Sequence, residues 1–275
     1  MRLVRIVALV VAPLIAAFAG APQADARQSS RHHVIVAVNA NQSSNWSGYN
    51  QGTIEQGGKL FTQVSGDWTV PTARPHVHGQ DEFSSSWVGI GGGCVDADCN
   101  VTDSTLIQAG TEQDVDAAGK TSYYAWWELI PAPSLEITTL KVAPGNRMHV
   151  DIHEVVANSN VWVITVKNVS TGKSWSTTVP YSSTHATAEW IEETPLIIDT
   201  SGAGLAAMPN LGAVTFDKAY TNGKPTGLKT TEEMQLVDFN TNPPTPVATP
   251  SAPDRGHDGF RDCVWASTCR APTGD

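Results

Sequence analysis

Hydrophobic and polar positions alternate with a period of two along much of the chain. In His149-Val150-Asp151-Ile152-His153 the apolar Val150 and Ile152 share one side and their polar neighbours the other, the pattern of a half-buried strand. Short runs rich in β-branched and aromatic residues recur between Gly, Asn, Ser and Pro. They predict strands over Phe61–Val70, Ser85–Ile90, Ser122–Ile130, Arg147–Val156, Val161–Asn168, Ser174–Tyr181, Ala188–Ile191, Gly212–Phe216 and Thr231–Phe239. Val161–Asn168 and Ser174–Tyr181 flank the turn Ser170-Thr171-Gly172-Lys173 and read as a hairpin. No stretch sustains the apolar period of a long helix. The expected fold is all-β, an antiparallel sandwich. Residues 241–257 are rich in Pro and Thr, and Phe260–Trp265 beyond them is either tail or closing strand.

The start of the chain breaks this pattern. Arg2 and Arg5 precede an apolar run from Ile6 to Ala19, followed by the small-residue exits Ala17-Phe18-Ala19 and Ala24-Asp25-Ala26. Charged start, apolar middle and small-residue exit describe a secretory signal over residues 1–26. The run is too short to span a bilayer, which takes roughly 20 residues. Secretion favours disulfides. Four cysteines occur as two close pairs, Cys94/Cys99 and Cys263/Cys269, and two local bridges are expected, although four cysteines allow three connectivities. Residues 27–44 are polar with a short apolar patch from Val34 to Val38 and read as an exposed leader or a short pro-segment.

Charge narrows the function. The chain has 17 Lys+Arg against 27 Asp+Glu, a net charge of −10, and 16% charged residues. That excludes a basic nucleic-acid surface, which needs clustered Lys and Arg. Nine tryptophans and 40% apolar residues exclude a disordered acidic tail. Few Lys and Arg also leave little positive charge to repel once carboxylates protonate, so the composition permits life in acid. His76-x-His78 and His149-x-x-x-His153 offer paired imidazoles on strands, but no third ligand accompanies either pair. They read as solvent-facing histidines, and neither metal nor cofactor is expected.

What remains is acidic residues and amides among tryptophans. Ser86-Trp87-Val88-Gly89-Ile90-Gly91-Gly92 leads to Leu106-Ile107-Gln108-Ala109-Gly110-Thr111. Tyr124-Ala125-Trp126-Trp127-Glu128-Leu129-Ile130-Pro131 and Ala188-Glu189-Trp190-Ile191-Glu192-Glu193-Thr194-Pro195 follow. Interleaved in this way, they suggest a groove for an extended polar polymer. A carboxylate pair suits glycoside hydrolysis; one carboxylate with an amide suits peptide hydrolysis. From the residues alone both stay open, as does a packing role for any single Trp.

Together these segments resemble the eqolisins, or glutamic peptidases. Asn45-Trp46-Ser47-Gly48-Tyr49, Val64-Ser65-Gly66-Asp67-Trp68-Thr69-Val70-Pro71, Ala213-Val214-Thr215-Phe216-Asp217 and Ala248-Thr249-Pro250-Ser251-Ala252 agree with the same family. The resemblance runs from Asn45 to Trp265 and implies one glutamic-peptidase-like β-sandwich domain over residues 45–275. It implies two bent antiparallel sheets with a concanavalin A-like lectin/glucanase outline, and makes Phe260–Trp265 the final strand. It also implies a catalytic dyad of Gln108 and Glu193. Glu192 and Glu193 are exclusive alternatives, because adjacent strand residues face opposite ways; Glu193 matches the family's acidic position two residues before the Pro. Trp46, Trp87, Glu112, Trp126 and Glu128 fall where cleft-lining residues are expected. Gly91 departs from the family, which usually carries Asp after Trp-Val-Gly-Ile.

The implied chemistry is hydrolysis of protein or peptide substrates in acid outside the cell. Glu193 takes a proton from water and returns it to the leaving nitrogen. Gln108 orients the water and donates N–H to the oxyanion. Neither nucleic acid nor, after signal removal, membrane is an expected partner, and the expected state is a monomer. Two rivals are a sandwich-fold glycoside hydrolase using Glu128 and Glu193, and a non-catalytic carbohydrate- or peptide-binding module. Gln108 in its Gln-x-Gly setting separates them, since neither rival requires it.

Overall fold

The computed structural model describes residues 29–199 and 202–273. The expected signal segment, residues 1–26, lies outside them. Among the described residues no helix is long and apolar enough to cross a membrane. Among the described residues twenty strands, numbered in chain order, and one short 3-10 turn make up the regular structure. The inner sheet runs in the order β18 (Glu233–Asp238), β4 (Trp46–Gly52), β13 (Thr187–Glu193), β6 (Ser85–Gly91), β7 (Leu106–Val115), β8 (Thr121–Leu129), β9 (Leu135–Glu136). The outer sheet runs β12 (Lys173–Pro180), β11 (Val161–Asn168), β10 (Arg147–Glu154), β5 (Gln63–Thr69), β16 (Ala213–Thr221), β20 (Phe260–Val264), β19 (Thr245–Pro250), β18. Strand β18 belongs to both, so the two layers join along it.

Alternation explains the outer sheet. In β10 and β11 every second residue is buried, and Val150, Ile152, Trp162, Ile164 and Val166 enter the shared core. The hairpin at Gly172 forms as expected, with Lys173 paired to Asn168. Phe260–Val264 closes the outer sheet against β16 and β19. Four strands of the inner sheet, β4, β6, β7 and β13, are buried on both faces and show no exposed position. Two indoles tie the layers: Trp190 Nε1 donates to Ser65 O at 2.8 Å, and Trp68 Nε1 donates to Thr111 Oγ1 at 3.0 Å. Each buries a large apolar ring while satisfying its one polar atom. A Cβ at Gly66 would lie 2.8 Å from Trp190 Cδ1, so only glycine fits beneath that ring.

Both expected disulfides are present, Cys94–Cys99 and Cys263–Cys269, with Cα separations of 4.8 and 5.5 Å. His149 and His153 lie on the partly exposed side of β10, as expected, each beside a carboxylate. His149 Nδ1 lies 2.6 Å from Asp67 Oδ1, and His153 is held by Asp151. His76 stacks on Trp265 at 3.7 Å. Asp67 and Trp265 reach these rings from elsewhere in the chain, whereas Asp151 stands two residues before His153 on the same side of β10.

The stretch expected as an exposed leader or a short pro-segment is partly built into the fold. Strand β1 (Ser29–Arg31) pairs with β14 (Leu196–Asp199), which continues to β15 (Gly202–Leu205) in a small separate sheet. Strands β2 (Ala37–Asn39) and β3 (Gln42–Ser43) add to β18. Between them His32 and Ile35 are buried. Ile35 packs with Trp46, Trp87, Leu106, Trp126 and Ile191, so apolar burial holds this stretch on the inner sheet's outward face. The remaining strand, β17 (Lys224–Pro225), pairs only with the end of β16.

Candidate active site

The outward face of the inner sheet carries the residues that the resemblance singles out. Directly paired residues share a face, and positions two apart return to it. Register therefore lays down three rows. Glu193, Ser85, Glu112 and Tyr124 form one; Ile191, Trp87, Gly110 and Trp126 the next; Glu189, Gly89, Gln108 and Glu128 the third. A Cβ at Gly110 would lie 2.5 Å from Trp87 Cβ and 2.4 Å from Ser86 O. Glycine there lets the neighbouring strands approach while Trp87 spreads over the face.

Glu193 is fully buried. Its Oε2 accepts from Trp87 Nε1 at 2.8 Å and lies 3.0 Å from His32 Nδ1. Its Oε1 accepts from the His33 backbone N–H at 3.2 Å. Burial pushes its pKa up, and His32 with the His33 amide pulls against that. Glu112 Oε1 stands 2.9 Å from His32 Nε2. Burial would lower the His32 pKa, but Glu112 and Glu193 outweigh it and hold the ring protonated well above its ordinary range. Trp126 stacks on the imidazole at 3.6 Å, an arrangement suited to a flat cation, and its Nε1 donates to Ser85 Oγ at 3.0 Å.

Gln108 Nε2 donates to Glu128 Oε2 at 2.8 Å, and Gln108 Oε1 has no partner among the described residues. Burial raises the Glu128 pKa to about 7; His32 opposes this and Glu193 adds to it. Gln108 and Glu193 thus project from one face without hydrogen-bonding each other. Trp46 is fully buried in the same apolar cluster as Trp87 and Trp126. Beside the cluster a groove of about 660 Å³ opens, lined by Arg31, Asp81, Asp114, Lys120, Tyr124 and Glu136.

Glu192 points the other way. It lies between the sheets, where its Oε2 accepts from Ser86 Oγ at 2.6 Å. Burial raises its pKa well above the usual range, with Asp262 adding to it. Glu192→Gln should leave peptide cleavage within about threefold of the parent, since a surrounding group that does not meet the reacting atoms changes the barrier little. A steady-state assay beside Glu193→Gln checks this; collapse in the Glu192 variant alone would reverse the assignment.

Gly91 has φ +93°, and a Cβ there would lie 2.1 Å from Thr105 O. In this backbone no other residue fits at the strand end beside the Cys94–Cys99 loop. Residue reading missed His32, which no periodic pattern singles out. The available signal was cationic: Arg27, Arg31, His32 and His33 cluster in an otherwise acidic chain.

A family model described as the Peptidase A4 family matches residues 44–256. The chain belongs to the Peptidase A4 family. Aspergillopepsin-2 of Aspergillus niger is 28% identical over 203 residues, covering 66% of this chain and 65% of its own length. The chain therefore spans just under two thirds of that curated relative. Among solved structures, scytalido-glutamic peptidase with a transition state analog inhibitor superposes with a TM-score of 0.61 at 20% identity, over 80% of this chain and 98% of that one. SCP-B, a member of the eqolisin family in complex with the tripeptide Ala-Ile-His, gives 0.53 at 18% identity, over 80% and 98%. At these identities the superpositions speak for the fold, and they agree with the expected antiparallel sandwich of the eqolisins.

Proposed function

We propose that this family member is a secreted, acid-active glutamic endopeptidase in which Glu193 and Gln108 act on one peptide bond. The observation that carries this is placement: register aims both side chains onto one face of one sheet, amid Trp46, Trp87 and Trp126. Trp87 N–H fixes one oxygen of Glu193 and leaves the other to take a proton from water once the overlying chain is gone. That proton passes to the leaving nitrogen. The Gln108 amide is neutral at every working pH. Its unpartnered oxygen can accept from the attacking water and its N–H can turn from Glu128 to the oxyanion. The groove past Tyr124 extends the face far enough for an extended polypeptide, which fits the tripeptide bound by the SCP-B neighbour. Glu112 and Glu128 set the field around Glu193, and Trp126 offers a stacking surface for a side chain.

Secretion is supported by the signal pattern and by two disulfides. Acid activity is supported by the excess of carboxyl groups around the site. Purified chain freed of its leader should cleave denatured casein in acid, with the rate unchanged by a chelator and no reducing sugar released from glucans. Loss of cleavage with a chelator, or sugar release without cleavage, would favour a metalloenzyme or the glycosidase rival.

A further inference from the structure

We propose that the open edge of the sandwich, between β9 and β12, is a second binding site that holds the distal part of an extended polypeptide while the cleft acts elsewhere on it. The proposal rests on the peptidase reading above and names the substrate class: long unfolded chains. The two layers join along β18 at one side and part at the other. There, among the described residues, the outer sheet ends on β12, paired only with β11, and the inner sheet ends on β9, paired only with β8. Register decides what faces the gap. Trp175 and Val179 pair with Val166 and Trp162, and Trp127 pairs with Ala109, all three partners being core residues. Directly paired residues share a face, so Trp175, Val179 and Trp127 turn into the gap, where the two indoles lie 5.9 Å apart at 31° to each other. Leu135, paired with Trp127, completes the patch and is 51% exposed. These two indoles differ from the buried ones. Trp68, Trp87, Trp126 and Trp190 each donate N–H to a protein acceptor, whereas Trp127 and Trp175 have none among the described residues. A large apolar ring with a free donor at the surface is a typical contact residue.

What this edge accepts follows from its backbone. A terminal strand presents a row of unpaired N–H and C=O groups, and folded proteins usually blunt it with charge or proline. Strand β12 carries Lys173 and Pro180 at its ends, but Ser174–Val179 between them has neither. An added polypeptide strand satisfies those groups in register and sets alternate side chains against the indoles; a sugar does not. The edge also continues the cleft. Glu136 lines the groove that opens beside the tryptophan cluster, and its neighbour Leu135 faces the gap, so β9 is the ridge between the two. From β13 to β9 there are four strand spacings, about 19 Å, and the second layer lies about 10 Å further. That path takes roughly nine extended residues, so a short peptide fills the cleft without reaching the edge.

The test separates long substrates from short ones. The active chain is compared with its Trp175→Ala and Leu135→Lys variants on denatured casein and on an octapeptide. Each substitution should raise KM for casein about tenfold, the scale of losing one central contact, with kcat within twofold. Both constants for the octapeptide should stay as in the parent. Leu135→Lys alters a half-exposed position and sets a charge on the edge, so it keeps the test decisive if Trp175→Ala fails to fold. In the full secreted chain carrying Glu193→Gln, anisotropy of labelled casein should report binding that Leu135→Lys weakens by a similar factor. Equal KM shifts for both substrates, or none for either, would overturn the proposal. So would a neutral glucan binding at Trp175 in place of casein, or a dimer in light scattering that Leu135→Lys dissociates, which would give the edge to a second copy. Casein binding that is lost in Leu135→Lys, by a chain whose active form cleaves neither substrate, would support the site and overturn the peptidase reading alone.

Discussion

Glu193→Gln should lower the rate of casein cleavage in acid at least a thousandfold and leave the fold in place. A positioned general base is worth roughly 10²–10⁴ in rate, and here the same group must also return the proton. Glutamine keeps the shape of the side chain but has no basic lone pair to take a proton at any pH. Gln108→Ala should cost on the order of 10²–10³ in kcat, the range for removing one oxyanion donor, with a smaller effect on KM. The two variants differ in a way that a merely structural role would not reproduce. Gln108→Ala retains its base and should keep the pH profile of the parent at a reduced height. Single-turnover cleavage across pH, with thermal unfolding as a control for folding, checks both. A folded Glu193→Gln enzyme with parental rates would remove the base from the scheme; a folded Gln108→Ala enzyme with parental kcat would remove the oxyanion donor.

The second large effect concerns stability, and it runs opposite to ordinary acid denaturation. Several carboxyl groups are buried without a compensating cation. Asp262 lies fully buried between the sheets, with Ser47 Oγ donating to Oδ1 at 2.9 Å and Oδ2 unpartnered among the described residues. Burial raises its pKa from 3.8 to about 7, with Ser47 opposing. Glu189 and Glu192 are raised in the same direction, chiefly by burial. A group whose pKa is higher folded than unfolded holds its proton longer in the native state, so the native state binds more protons. Stability is then fully present below the unfolded pKa and is lost as pH rises through the folded one. For Asp262 the window runs from about 4 to about 7, and the loss is about 4 kcal/mol at one pKa unit per 1.36 kcal/mol. The molecule should therefore be most stable in acid and weaken toward neutrality.

Asp262→Asn isolates this term. It keeps the side chain's shape and removes the charge that the pocket cannot solvate. At a pH below the usual carboxylate range parent and variant should unfold at similar temperatures. Near neutrality the variant should unfold roughly 8–16 °C higher, given about 2–4 °C per kcal/mol for a chain of this size. Thermal unfolding of both chains across that range decides it; parallel curves would mean that the ionised carboxylate is accommodated after all. The same slope would suit an enzyme of acidic surroundings, because the conditions that protonate these groups are those in which the fold is tightest.

Local sequence carried much of the architecture. The alternation at Val150 and Ile152, the turn at Gly172 and the closeness of each cysteine pair are properties of a few adjacent residues, and they stand in the structure as expected. Strands β4 and β7 were absent from the expected set and β13 extends beyond its expected bounds, because burial on both faces erases alternation. Leu106–Val115 is wholly buried and alternates neither charge nor hydropathy. His149 and His153 keep their expected place on the partly exposed side of β10, but the carboxylate beside His149 is Asp67 of β5, and only strand pairing reveals it.

The chain by itself determined that it would form strands rather than helices and that its cysteines would bridge locally. Those outcomes follow from steric preference, short loops and hydrophobic period, all encoded over a few residues. Only the tertiary structure decided which face of β13 turns outward, setting Glu193 beneath the leader and Glu192 against Ser86. It also decided where His32 goes, 161 positions before the carboxylate it touches. A one-residue slip would exchange the two glutamates, and what prevents it is the burial of Trp190, on Glu192's side, against the second sheet. That energy exists only once distant strands have met.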